Sequence, residues 1–181
     1  MIPDPKIFYN SYLGKFHGTK AAYLKHILSD IDKFEIDFFK KELSDEDKRD
    51  FRLTIKSDLR QTYFHSIESF FELFFALNPK GKQVYDDENI LFNLTNSKWA
   101  ENYNKIKDVA NDENYLDFLD EEIIALEKKT SIGNYLFYFA LFDREKHPEL
   151  KTRIEGSIEA IKYGMRIIAQ DFVNRDEYNA Y

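Results

Sequence analysis

The chain has 181 residues, of which 43% are hydrophobic and 33% charged, with a net charge of −7 and no cysteine. That length fits one domain able to bury roughly 70% of its unfolded surface without a metal or disulfide staple. Having no cysteine excludes thiolate nucleophiles, disulfides, cysteine zinc sites and iron–sulfur clusters, and the acidic balance works against indiscriminate binding to phosphate backbones.

The amino terminus lacks the basic and then apolar pattern of a secretory signal. The longest clean apolar run, Tyr135 to Phe142, is far short of the ~20 residues that cross a bilayer. A cytoplasmic protein with no membrane partner is the expectation.

In chain order, residues 1–18 carry Pro3, Pro5 and Gly14 and read as an irregular segment. Thr19 is positioned to cap a helix in which Tyr23, Leu24, Ile27, Ile31, Phe34, Ile36, Phe38 and Phe39 recur at mostly helical spacing, ending near Leu43. Ser44 with Asp47 resembles a capping box, with aspartate for the usual glutamate. It opens the longest periodic stretch, from Asp45 to Leu77, which holds the aromatic run RQTYFHSIESFFELFFAL. Asn78-Pro79-Lys80-Gly81 stops it, and residues 78–97 read as a long loop with room for a short helix.

A weaker helix is predicted over Lys98 to Ala110, broken by Asn111-Asp112. Another follows from about Glu113 to Lys129, with Leu116, Leu119, Ile123, Ile124 and Leu126 as its apolar positions. Ser131 to Asn134 is a short turn into the aromatic run. His147-Pro148 marks the start of the last helix, whose stripe is Ile154, Ile158, Ile161, Met165, Ile168 and Phe172. No strand is expected, because strict alternation is nowhere sustained. The reading is an all-α, single-domain helical bundle of about five to six helices over residues 1–181. The last helix meets no stop signal before Tyr181, so the natural chain is expected to continue.

Polar residues on the apolar helices are the candidates for function. At about 100° per residue, Asp58, Gln61, His65, Glu68 and Glu72 share one stripe of the long helix. That stripe is either a solvent face or a carboxylate and imidazole site. A di-metal bundle would use Glu-x-x-His pairs, but His65 and Glu68 occur in the reverse order and no second pair exists. No metal and no cofactor are expected. Arg60 lies about 140° from His65, inside the aromatic arc, and Arg175 continues the stripe of the last helix, with Asn179 one turn on. A guanidinium cannot shed its charge, so each needs a carboxylate, carbonyls or an aromatic face unless its head escapes to water.

An all-α domain of this size, with Arg60-Gln-Thr-Tyr-Phe-His65 on a helix, resembles the HEPN superfamily. Its members include metal-independent ribonucleases of toxin, phage-defence and RNA-processing systems, and non-catalytic binding modules. The family motif is an arginine, usually a polar residue, then a histidine near a dimer axis, later in the domain than Arg60. Arg175-Asp-Glu-Tyr-Asn-Ala-Tyr181 matches in position and in the polar residue, without a histidine before residue 181. The resemblance implies Arg60, His65 and Arg175 as catalytic candidates, a homodimer, and RNA as partner; Glu68, Glu72 and Asn179, from their places on the helix faces, are the binding candidates. In that chemistry a neutral imidazole takes the ribose 2′-hydroxyl proton and the arginine stabilises charge on the phosphate. The alternative is a non-catalytic helical interaction or regulatory protein that self-associates or binds a protein partner.

Overall fold

The computed structural model describes residues 15–77, 87–125, 127–138 and 146–175. They form seven α-helices, one 3-10 turn and one two-stranded hairpin, so the class is all-α. The helices are α1 (Phe16–Ser29), α2 (Ile31–Phe39), α3 (Asp45–Ala76), α4 (Asp87–Thr95), α5 (Trp99–Asn111), α6 (Ile132–Tyr138) and α7 (Pro148–Val173). Two compact units result: one holds α1, α2 and α3 through Ser69, the other α3 from Phe70 onward with the elements that follow. No helix among the described residues is long and apolar enough to cross a membrane.

The first predicted helix is two helices. Asp30 leaves helical geometry at φ −144, and its carboxylate accepts the amide of Lys33, which caps α2 inside an otherwise periodic run. Lys40, in the left-handed region at φ 58, ends α2 four residues early. At the other end α1 starts at Phe16, ahead of Thr19, so His17 is helical and not in a loop. Leu24, Ile27 and Ile55 are the buried centre of this unit, with Leu28, Phe34, Phe51 and Leu59 packed against it. The buried Glu35 carboxylate meets Lys48 at 3.1 Å, tying α2 to α3. Ser44 caps α3 as expected: its hydroxyl accepts the Asp47 amide at 3.2 Å and donates to the Asp47 carboxylate at 2.7 Å.

In the other unit the expected loop over 78–97 contains α4, and the helix expected over 113–129 does not form. Asp112 ends α5 in extended geometry and its carboxylate accepts the Asn114 amide, a turn that begins a new direction. A 3-10 turn, Asp117–Asp120, leads to β1 (Glu122–Ala125) and β2 (Lys128–Ser131), antiparallel with Ile123 opposite Thr130. Glu127 takes φ 64 at the hairpin bend. The adjacent β-branched pair Ile123-Ile124 suits a strand as well as a helix, and a short apolar run cannot separate the two. Leu126 and residues 139–145, with the second half of the second aromatic run, lie outside the described residues.

After the hairpin, the Ser131 hydroxyl accepts the Asn134 amide and the buried Asn134 donates to the Thr130 hydroxyl, which starts α6. Gly133 lets α6 approach closely: a Cβ there would lie 3.0 Å from an Ile158 methyl and 3.1 Å from the Leu119 carbonyl oxygen. Gly156 and Gly164 on α7 meet nothing within 4 Å. Gly156→Ala and Gly164→Ala are therefore each expected to stabilise by about 0.5–1 kcal/mol, since alanine favours helix. Gly133→Ala is expected to destabilise by about 1 kcal/mol, because overpacking against a backbone carbonyl outweighs that gain. Thermal melts of the three variants check the contrast in sign.

Candidate functional site

Of the sequence-derived candidates, Arg60, His65 and Glu68 lie in one compact unit, and Glu72 and Arg175 in the other. On α3, His65 is exposed, whereas Arg60 is half-buried with its guanidinium carbon 5.8 Å from the Phe64 ring centroid. Their separation of about 140° around one helix sends the two side chains apart. Of the polar stripe, Gln61 and His65 face solvent and Asp58 pairs with Lys20 at 2.6 Å. Glu68 is half-buried, one turn along α3 from His65. Asn179 lies outside the described residues. No cluster of three metal-ligating side chains occurs among the described residues.

Arg175 is different. Its guanidinium carbon lies 4.6 Å from the Phe172 ring centroid, 5.5 Å from Tyr103 and 5.7 Å from Trp99. Trp99 and Tyr103, one turn apart on α5, stack on each other at 5.2 Å with an interplanar angle of 7°. Lys107, a further turn along, places its ammonium 4.7 Å over Tyr103. The result is a ladder of two rings and two cations along one edge of α5, anchored by the buried Phe172 edge-on to Tyr103.

Packing positions this ladder. The face of α5 with Asn102, Ile106, Val109 and Ala110 is buried, and Trp99, Tyr103 and Lys107 follow at one margin of that arc. α7 is held beside α5 by the Gln170 amide donating to the Ala110 carbonyl at 3.2 Å and by Arg166 donating to the Glu113 carbonyl. Trp99 remains 53% exposed, so a large flat face is open beside a guanidinium. Such a surface can stack a planar ligand and attract negative charge.

On the opposite margin of α5 is a polar cleft of about 280 Å³, between the carboxyl-terminal end of α3, the end of α4 and the start of α5. Glu72, one of the sequence candidates, lines it. Phe75 forms an apolar wall, with the Lys105 ammonium 5.3 Å over its ring. Lys98 and Glu101 pair across it at 3.0 Å.

Trp99 and Tyr103 were not singled out by sequence reasoning. The signal was there in the spacing of Trp99, Tyr103 and Lys107 at successive four-residue steps, in a helix otherwise poor in apolar residues. Comparison with protein-family models, with curated proteins and with solved structures gives no match in any of the three, so the site is defined by its own geometry.

Proposed function

We propose that this chain is a non-catalytic, HEPN-like RNA-binding component that takes a single-stranded segment on the Trp99–Tyr103–Arg175 platform. The observation that carries the reading is the exposed, pre-stacked Trp99–Tyr103 pair with Arg175 against both rings. Stacking suits a protein of net charge −7, because it needs few phosphate contacts. The local charge does not oppose it: α5 with its two caps carries Lys98, Lys105 and Lys107 against Glu101, Asp108 and Asp112, with Arg175 alongside.

Trp99 is the one tryptophan in the chain, so its emission reports this site alone. An oligouridylate of about eight nucleotides is expected to quench it saturably. Tyr103→Ala and Arg175→Ala should weaken that binding by about 5- to 150-fold, matching a base stack worth ~1–3 kcal/mol. Unchanged emission with folded protein would reduce the platform to a clamp between α5 and α7. Cleavage of the RNA in chelator, lost in Arg60→Ala and His65→Ala, would instead restore the catalytic reading.

A second reading, self-association, is favoured by the aromatic tip of α2. Phe34 stacks on Phe38 and on Phe51, while Phe38 and Phe39, with ring centroids 5.1 Å apart, are 67% and 38% exposed. Contiguous exposed apolar side chains of this kind mark interaction surfaces. Light scattering across a concentration series is expected to show a dimer that Phe38→Ser returns to monomer; a wild-type monomer throughout would remove this reading.

A further inference from the structure

The cleft on the other margin of α5 has a hydrogen-bonding pattern of its own. Asn93 donates its amide nitrogen to the Ala76 carbonyl at 2.8 Å, and Asn96 donates its own to the Phe92 carbonyl at 2.8 Å. Because a carbonyl can only accept, these bonds fix the orientation of both carboxamides and leave their oxygens as acceptors. Asn102 is 8% exposed and donates to the Ser97 hydroxyl at 2.6 Å, which leaves its oxygen in the same role. None of the three oxygens accepts a hydrogen bond among the described residues. The Asn102 side chain is largely buried, but its unused oxygen is not sealed from solvent, so the acceptor is accessible to a donor that enters the cleft.

We infer that this cleft is a pocket for an amino-bearing nucleobase, with adenine as its best fit. The exocyclic amino group would donate to the carboxamide oxygens, while Lys105 supplies a donor for a ring nitrogen, so that the wall presents acceptors next to a donor. Adenine shows the complementary pair, an amino donor beside a nitrogen acceptor; cytosine shows it too, but the two-ring face of adenine covers more of an apolar wall. Phe75 offers the apolar wall that a planar base requires. The volume, about 280 Å³, is at the small end for ligand sites and matches a base with part of its sugar, not a dinucleotide. A 6-oxo base brings an acceptor against acceptors, and leaves them unpaired.

This inference goes beyond the stacking platform and does not depend on it. The base can come from a free nucleoside or from a nucleotide within a strand. The test is titration of the intact protein with adenosine, inosine and uridine, followed by the side-chain amide resonances of Asn93, Asn96 and Asn102, with Trp99 emission recording any stacking on the platform. Adenosine is expected to shift the amide resonances saturably, with affinity about ten- to hundredfold above that of inosine. Asn102→Asp, which keeps the shape and the acceptor, should retain the preference. Asn96→Ala, at an exposed position, and Asn102→Leu should lose it; if Asn102→Leu does not fold, Asn96→Ala carries the comparison. An oligouridylate with one central adenosine binds more tightly than its all-uridine counterpart if the strand is the source, and no more tightly if the free nucleoside is. Equal affinity for adenosine and inosine, or an adenosine response confined to Trp99, overturns the assignment of this cleft whatever the platform does.

Discussion

Phe172→Ala is expected to lower the unfolding free energy by about 3–5 kcal/mol, the cost of emptying a buried aromatic site. The ring is 1% exposed near the end of α7, so little solvent can fill the space and neighbouring side chains collapse only in part. The same truncation removes the nearest of the three rings under the Arg175 guanidinium, at 4.6 Å, and the edge that braces Tyr103 at 6.2 Å. Platform and core are thereby linked. Urea denaturation should show the loss of stability, and Trp99 emission in native buffer should change as Tyr103 and Arg175 gain freedom. Phe172→Leu, which keeps most of the volume, is expected to recover more than half of the stability while still loosening the platform. If Phe172→Ala unfolds at the wild-type urea concentration, α7 does not depend on this contact and the platform is not held by the core.

Lys162 gives the second large effect, with a pH signature. It is 7% exposed on α7, and its ammonium lies 2.6 Å from Glu159, 2.7 Å from Asp120 and 3.6 Å from Asp117. Burial pulls its pKa down, but hydrogen bonds to Asp120 and Glu159, aided by their charges, outweigh this and hold it above the ordinary lysine value of 10.5. A group whose folded pKa is raised stabilises fully below its unfolded value and loses that contribution as pH climbs through the folded value. Stability should therefore decline above pH 10.5 through this residue, and Lys162→Met should remove that component of the alkaline decline. At neutral pH, Lys162→Ala is expected to cost about 1.5–3 kcal/mol, the range for hydrogen bonds to charged partners. Methionine, which preserves the buried stem, should cost less. Denaturant titrations at pH 7 and at pH 11 or so on the three proteins measure both effects. An alkaline decline unchanged by Lys162→Met would assign it to other groups.

The helices with long one-sided periodicity were legible from residues alone. α3 and α7 fall where their stripes predict, and Ser44 and His147-Pro148 mark their starts, because caps and apolar spacing act over a few residues of the same chain. The core stripe of α7 follows for the same reason in four of its six positions: Ile154, Ile158, Met165 and Phe172 are buried, whereas Ile161 and Ile168 are half-buried beside the buried Lys162 and Ala169. Where a local bond competes with the pattern, the reading failed. Asp30 capping α2 splits a run that looks continuous, and the segment over 113–129 folds as a 3-10 turn and hairpin although its leucines and isoleucines match helical spacing.

The candidate site was less legible still. Arg175 stood out as a charge on an apolar stripe, and an aromatic face was among the partners its burial demanded. Which face was a tertiary matter: Trp99 and Tyr103 lie more than seventy positions away in sequence, and only the packing of α5 along α7 brings them to the guanidinium. The carboxamides of the cleft are ordinary polar residues until three helix ends set them around Phe75. By itself the sequence determined the all-α class, the two long helices and their caps, since each depends on contacts within a few turns. Tertiary structure alone decided the hairpin, the rings on which Arg175 rests and the acceptors left unused in the cleft, because those depend on contacts between residues that no local pattern connects.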